Sequence, residues 1–276
     1  MPKVTVEIPV SLKTALDRAI LENKGTESSL VTAALSQYFN TEVHTLFQVS
    51  TSGALVAGVY TGAVSVQGLL EHGDFGLGTF ANLDGEMVVL DGHIYQVHGT
   101  GSVTEAPLTA EAPFAVVTRF SPDVTLSVEP LMSFAELQKR CDTLRTSGNI
   151  FYAFRADGLF KRIRTRAVKS PREGASFADA AKAQGEFPFT DVRGTLVGLW
   201  SPGFSSAFSV AGYHFHFLSE DRQMGGHLLD CETGPLQLQM EVLTDFHLAL
   251  PETAGFLKAD LSKNTADELA YAEAAH

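Results

Sequence analysis

The chain has few cysteines and few basic residues, and each shortage argues against a class of protein. Its two cysteines, Cys141 and Cys231, stand far apart and outside any C-x-x-C pair. The sequence therefore predicts neither a disulfide-built scaffold nor a cysteine-based zinc site. Lysine and arginine together number 20 against 32 acidic residues, which gives a formal charge of −12 at pH 7. A balance of that sign disfavours general binding of nucleic acid by the whole protein.

Long hydrophobic runs are also missing. No apolar stretch reaches the ~18 residues that a membrane-spanning helix needs, and the first residues carry no signal-peptide pattern. We therefore expect a cytoplasmic protein that does not enter the membrane. The composition itself is globular, with 45% hydrophobic and 19% charged residues, and 276 residues suffice for one large or two ordinary domains.

The first 43 residues are predicted to form an extension of their own. Alternating apolar positions between Val4 and Ile8 predict a short, half-buried strand. A first helix capped by Ser11 should follow and end at Gly25, which suits the left-handed position after a helix. A second helix is predicted from about Glu27 to Phe39. Strand, helix, glycine turn and helix together resemble a ribbon-helix-helix module.

That resemblance implies dimerisation through the strand, and such modules often place the strand in a DNA groove. Residues 1–43 contain four basic and five acidic residues, which is not the positive footprint that DNA binding requires. We therefore expect a dimerisation role. A tether, a simple packed extension, and a DNA-binding regulator whose C-terminal part senses a metabolite remain alternatives.

The stretch GYHFHF at 212–217, followed by Gly225-Gly226-His227, has the strongest chemical signature. Side chains alternate along a strand, so His214 and His216 should share one face while the aromatic residues between them enter a core. If the chain pairs back after the polar turn, His227 joins the same face. Three neutral imidazoles there would suit Zn²⁺ or a similar divalent metal. Ordinary hydrogen-bonded strand histidines are the alternative.

Two Asp-Gly turns bracket an apolar strand that begins at Glu86, which predicts a β-meander. The glycine-rich stretch at 73–80 contains G-x-G without the rest of a dinucleotide-binding pattern, so its glycines are interpreted as bends or close approaches between strands. Glu86 is a candidate functional carboxylate, and a strand-end carboxylate facing water is the alternative.

Seven of the 20 basic residues lie between Arg155 and Arg172. A turn is predicted at Asp157-Gly158, and alternation in the strand after it puts Arg162, Arg164 and Arg166 on one face. A basic strip in an acidic protein suits a small anionic substrate. A solvated strand face is the alternative, and we favour it for Arg162 and Arg164.

Together these patterns predict a strand-rich α+β fold. A sheet-rich first half, about 44–185, would precede a barrel-like metal-binding half, about 186–276, after the strand-helix-helix extension. A short helix is expected at 179–184, and an acidic helical tail from Thr253 onward.

Four sequence motifs also occur in a fixed order, GDFGLGTFANLDGE (73–86), GLFKRIRTR (158–166), DVRGTLVGLWSP (191–202) and GYHFHFLSEDRQMGGH (212–227). Across about 44–276 the chain resembles the α-acetolactate decarboxylase family, while residues 1–43 lie outside the family pattern. The resemblance implies a zinc-dependent homodimer that converts (S)-2-acetolactate to (R)-acetoin and CO₂ in the acetoin/2,3-butanediol pathway. Another zinc enzyme on the same scaffold, such as a hydrolase, and a non-catalytic zinc-stabilised module remain alternatives.

The resemblance also implies roles for particular residues. Arg166 would hold the substrate anion, and Glu86, or in second place Arg166, would deliver the proton. The C-terminal carboxylate of the family matches Glu273, with Glu268 as the nearest alternative. The family's zinc ligands match His214, His216 and His227, and its remaining site residues match Thr79, Glu86, Arg166 and Glu273.

Overall fold

The computed structural model describes residues 4–22, 26–39, 44–170 and 184–263, together with 265, 268 and 269. The chain divides into two compact units, residues 1–43 and 44–276. Within the described ranges, no helix is both long and apolar enough to span a membrane. The helix predicted at 179–184 lies outside these ranges, apart from Gln184, which is not helical.

The N-terminal unit contains two helices, α1 (Val10–Leu21) and α2 (Glu27–Phe39), and the bounds predicted for α2 are confirmed. The predicted Ser11 cap is wrong, because α1 starts two residues earlier, at Val10, with Pro9 at its N-cap. The Pro9 ring fixes φ near the helical value, and its carbonyl accepts hydrogen bonds from the backbone of Leu12 and Lys13.

The predicted strand at Val4–Ile8 is not formed in the single chain, where residues 4–9 have no regular structure. A strand needs a neighbour for its backbone hydrogen bonds, and no described residue supplies one here. No residue of α1 is buried either. The large apolar side chains that the unit leaves exposed are Val4, Val6, Ile8, Val10, Leu12, Leu21, Val31, Leu35, Tyr38 and Phe39.

Among the residues that the structure describes, the second unit has fourteen strands and four short helices. Its strands are β1 Thr45–Val49, β2 Val64–Ser65, β3 Phe75–Thr79, β4 Glu86–Leu90, β5 His93–Val97, β6 Val103–Glu105, β7 Glu111–Ala112, β8 Phe114–Thr118, β9 Val124–Val128, β10 Phe151–Ala167, β11 Gly185–Ser201, β12 Gly212–Ser219, β13 Gly225–Leu243 and β14 Asp245–Ala249. Its helices are α3 Ser52–Val56, α4 Val66–His72, α5 Phe134–Asp142 and α6 Ala254–Lys258. In the predicted tail helix, α6 is helical, residues 259–263 are not, and Glu268 and Leu269 are helical again. Two 3₁₀ turns, Ala81–Leu83 and Gly203–Ala207, complete it.

Seven strands form a mixed sheet in the order β14-β1-β8-β3-β4-β5-β6. Only the β1–β14 pair is parallel. The predicted meander is confirmed, since β4 and β5 pair antiparallel around Asp91-Gly92. Both turn residues have positive φ, 53° and 80°, which is the requirement of the tight hairpin turn that an Asp-Gly pair favours.

The other sheet is antiparallel, in the order β10-β11-β12-β13-β9, and β10 also pairs with β13. That additional pairing nearly closes the sheet on itself, as the barrel-like prediction required. The turn predicted at Asp157-Gly158 is wrong, because β10 runs straight through both residues. Gly158 instead allows β13 to come close, since a Cβ there would lie 2.7 Å from the Pro235 carbonyl oxygen.

The main core lies between the two sheets. Leu77 and Val88 of the mixed sheet belong to one buried cluster with Val197, Leu199 and Leu218 of the nearly closed sheet. A second cluster fills the nearly closed sheet, and a third covers the opposite face of the mixed sheet beside α4. The sheets are thus fixed against each other by apolar packing, which holds side chains of β4 close to those of β12.

Replacing Leu77 by alanine should lower the free energy of unfolding by about 2–5 kcal/mol, because it leaves a cavity in the core between the sheets. Leu77 is 0% exposed, whereas Leu108 is 55% exposed and serves as the matched control. Leu108→Ala should change the stability by less than about 0.5 kcal/mol. Urea denaturation of both full-length variants tests this, and equal losses would show that the interlayer core is not the main support of the fold.

Candidate metal centre

The structure brings together the three histidines that the sequence pattern singled out. His214 and His216 are two positions apart on β12, and His227 on β13 is the direct cross-strand partner of His216. One ligand nitrogen from each ring lies within 4.8 Å of the other two. The Nε2 atoms of His214 and His216 are 3.2 Å apart. His216 and His227 are buried, and His214 is half-buried.

The protonation of these rings fits a metal site. His216 Nδ1 lies 2.8 Å from the carbonyl oxygen of Met87, and a carbonyl can only accept, so Nδ1 carries the proton. In the neutral form of this ring the lone pair lies on Nε2, the atom that faces His214. Burial, together with the nearby Arg166 guanidinium, lowers the pKa of His214 to about 3, which keeps that ring neutral. Neutral imidazoles bind Zn²⁺ and similar divalent ions.

Glu86 reaches the histidines from the other sheet. It is the first residue of β4 and is buried. Its Oε1 accepts a hydrogen bond from the backbone N–H of Val168 at 3.2 Å, and its Oε2 lies 3.7 Å from His216 Nε2. The buried carboxylate is thus held beside the imidazole cluster and does not face water, contrary to the alternative reading of a strand-end carboxylate.

Thr79 is the cross-strand partner of Glu86, and its hydroxyl donates to the carbonyl of Gly85 at 2.8 Å. Gly85 has a φ of +87°, and a Cβ on it would lie 2.2 Å from the carbonyl oxygen of Val97. Only glycine fits this turn. Thr79 therefore holds the backbone of Gly85 in place, and this fixes the backbone position from which the Glu86 side chain extends.

Of the three arginines predicted to share a face, one lies at the site. The exposed fraction is 72% for the side chain of Arg162 and 43% for that of Arg164, but 4% for Arg166. Arg162 and Arg164 form ion pairs near the surface with Glu232 and Glu186. Arg166 is the cross-strand partner of His227 and lies close enough to lower the pKa of His214.

Some contributors lie beyond sequence patterns or beyond the described residues. The Met87 carbonyl and the Val168 N–H are backbone groups, which no side-chain pattern can identify. Glu273 lies outside the described residues, and its alternative, Glu268, is exposed.

Comparison with known proteins links this geometry to one family. The family described as "Alpha-acetolactate decarboxylase" matches residues 46–263, which leaves the first 45 residues outside the match. The chain is 40% identical over 233 residues to the alpha-acetolactate decarboxylase of Methylococcus capsulatus, covering 84% of this chain and 90% of that protein. It is 37% identical over 220 residues to that of Bacillus subtilis (strain 168), covering 79% and 86%.

Solved structures agree with these matches. The crystal structure of alpha-acetolactate decarboxylase from Bacillus subtilis strain 168 aligns with a TM-score of 0.81 at 34% identity, over 84% of this chain and 100% of that one. A Staphylococcus aureus protein of unknown function, similar to alpha-acetolactate decarboxylase, aligns with a TM-score of 0.80 at 29% identity, over 83% and 100%. The predicted strand-rich α+β fold is thereby confirmed.

His216→Ala should abolish tight zinc binding, because it removes one ligand and breaks the contact with Met87 that orients the ring. Wild-type protein dialysed against zinc and then against buffer should retain about one ion per chain. His93→Ala, at an exposed strand histidine paired with Glu105, is the control and should retain the wild-type amount. Elemental analysis measures the metal, and zinc retained equally by both variants would exclude the histidine cluster as the site.

Proposed function

Because the chain belongs to the alpha-acetolactate decarboxylase family, we propose that it converts (S)-2-acetolactate to (R)-acetoin and CO₂, using zinc or another divalent metal held by His214, His216 and His227. One observation carries the proposal: a histidine cluster, a buried arginine and a buried carboxylate meet where the two sheets pack together. Such a site combines metal ligands, a cation for an anionic substrate, and an acid–base group. The proposed place in metabolism is the acetoin/2,3-butanediol branch.

The reaction determines what the site has to do. In 2-acetolactate, the carbon that bears the hydroxyl and the carboxylate adjoins a ketone. When the bond to the carboxylate breaks, its electron pair moves into the ketone and CO₂ leaves, and a proton must then be added to carbon to give acetoin. A divalent metal at the three imidazoles supplies Lewis-acid stabilisation of the negative charge on the substrate oxygens, so no organic electron sink is needed.

Arg166 is the proposed anion-holding residue. Its guanidinium is always charged and can bind a carboxylate through two parallel hydrogen bonds. Its burial removes it from competing water, which strengthens such contacts relative to those of the exposed Arg162. Its register opposite His227 sets the cation beside the histidines.

Glu86 is the proposed proton donor. The Val168 N–H holds Oε1, while Oε2 lies on the side of His216. A carboxylic acid fixed on one side of the substrate can protonate one face only, which accounts for a single acetoin enantiomer. Arg166 is the second candidate, but a guanidinium gives up its proton far less readily than a carboxylic acid.

Glu86→Gln should retain zinc yet lose acetoin formation by at least about 100-fold, because the amide keeps the shape and cannot transfer the proton. Glu105→Gln, at an exposed carboxylate of β6, should retain full activity. Acetoin would be measured from racemic 2-acetolactate, with wild-type protein also assayed after chelation and after zinc readdition. An active Gln variant would remove Glu86 from the acid role, and zinc-loaded, folded wild type that forms no acetoin would refute the proposed reaction.

The homodimer is a further part of the proposal, and the N-terminal unit offers a surface for it. About forty residues are too few to hold a stable core alone, and α1 buries none of its residues. We propose that two copies of the chain associate through the exposed apolar side chains of this unit, with Val4, Val6 and Ile8 at the contact. Pairing with a second copy would also give residues 4–9 the neighbour that a strand requires.

Val6→Asp should lower the mass of the particle in solution to roughly half, because the new carboxylate would have to be desolvated in the contact. Leu108→Asp makes the same change at an exposed apolar position of the other unit and should leave the mass unchanged. Light scattering after size-exclusion chromatography gives both masses. An unchanged mass for Val6→Asp would exclude the N-terminal unit as the dimer contact.

A further inference from the structure

A buried hydroxyl that no sequence pattern identified links two of the strands that form the candidate metal centre. Thr165 lies in β10, next to Arg166, and is fully buried. Its Oγ1 donates a hydrogen bond to the carbonyl oxygen of Gly225 at 2.8 Å. Gly225 is the first residue of β13 and precedes His227 by two positions. The hydroxyl therefore ties the start of the strand that carries the third histidine to the strand that carries Arg166.

The backbones of these two strands are unusually close at the same place. Gly226 has a φ of +127°, and a Cβ on it would lie 2.5 Å from the carbonyl oxygen of Arg166 and 3.2 Å from the Cβ of Thr165. No side chain fits between the strands at position 226. The approach is specific to glycine, so the chain is adapted to hold β13 tightly against β10 beside His227.

The register of β13 also changes at Thr165. Arg164 pairs with Asp230, whereas Thr165 pairs with Leu228, so Leu229 is an extra residue on β13. A bulge of this kind changes the direction in which the following side chains point. Beyond it, the pairing returns to register and brings His227 opposite Arg166. The hydrogen bond of Thr165 stands at the point where the register is restored.

The position of His227 is set by the pairing of β13 with both β12 and β10. The pairing of β12 with β13 comprises only three residue pairs, from His216↔His227 to Leu218↔Gly225. A slip of one residue in so short a ladder would turn His227 to the opposite face of the sheet. The pairing with β10 adds a second constraint on this register, and the Thr165 hydroxyl bonds to β13 at this end of it.

We propose that Thr165 is a positioning residue of the metal centre. Its hydroxyl holds β13 in the register that places the ring of His227 beside those of His214 and His216. Thr165 acts through the Gly225 carbonyl, without a described contact to the three imidazoles. The inference rests on the metal site of the proposed function, so its test measures metal affinity and not acetoin.

Three substitutions in the full-length chain separate this role from a general contribution to stability. Thr165→Val removes the hydroxyl at nearly constant shape, and Thr165→Ser keeps a hydroxyl. Thr233→Val is the matched control, because Thr233 is a buried threonine of β13 whose hydroxyl accepts a hydrogen bond from the backbone N–H of Leu131. The control variant also loses one buried hydrogen bond of a threonine hydroxyl, in this case on β13, six positions beyond His227.

Thr165→Val should weaken zinc binding by about 10- to 100-fold in competition with a chelator, the range expected when the support of a metal ligand is lost. It should also change the visible absorption of the Co²⁺-loaded protein, which reports ligand geometry. Thr165→Ser should bind zinc as wild type does, and Thr233→Val should do so even where its thermal unfolding temperature falls. Should the valine variant not fold, Thr165→Ala is expected to give the same loss of affinity.

Wild-type zinc affinity and Co²⁺ absorption in Thr165→Val or Thr165→Ala would overturn the proposal. A serine variant that binds zinc as weakly as the valine variant would also overturn it, because packing of the methyl group would then be the cause. The proposal would likewise be overturned if the valine and alanine variants both failed to fold while Thr233→Val folded, because Thr165 would then be required for folding itself. Wild-type protein that binds no zinc would instead refute the metal site on which the proposed function rests. The two failures are therefore distinguishable.

Discussion

The hydrogen bond from His216 Nδ1 to the Met87 carbonyl is the contact on which the arrangement of the candidate site depends. It joins the two sheets, fixes the tautomer of the buried ring, and does so at the residue next to Glu86. Such a bond contributes only about 0.5–1.5 kcal/mol net, so it orients the ring without holding the sheets together. The packing of residues such as Leu77 and Leu199 between the sheets provides that stability. Apolar packing sets the distance between the two sheets, and at that distance the hydrogen bond orients the ring of His216.

Local sequence patterns predicted the parts of the site that depend on local geometry. The alternation of His214 and His216 follows from the two-residue period of a strand, and the hairpin at Asp91-Gly92 follows from the φ values that this pair accepts. Neither requires knowledge of distant residues. The α2 helix was predictable for the same reason, since a periodic segment with a glycine before it has few other conformations.

Features set by distant parts of the chain were not predictable in this way. Asp157-Gly158 has the composition of a turn, yet the strand continues there because β13, almost eighty residues later, needs the space above a glycine. Arg162 and Arg166 have the same alternation, but Arg162 is exposed and Arg166 is buried, a difference that periodicity cannot reveal. Likewise, Val4–Ile8 has the pattern of a strand, but a strand requires a neighbour, and the single chain provides none among its described residues.

The division of the candidate site between two sheets makes the distance between Glu86 and the three histidines an adjustable quantity. Glu86 belongs to β4 and the three histidines to β12 and β13, so their separation equals the spacing of two layers whose side chains interlock. Protein interiors are packed as densely as organic crystals, and a change of one methylene group is transmitted to neighbouring elements. Substitutions at Val88 or Val197, which belong to the cluster between the sheets, would therefore change the distance from Glu86 to the histidines by moving one layer relative to the other. Directed evolution of this fold could therefore adjust the rate of the reaction without replacing any residue of the site.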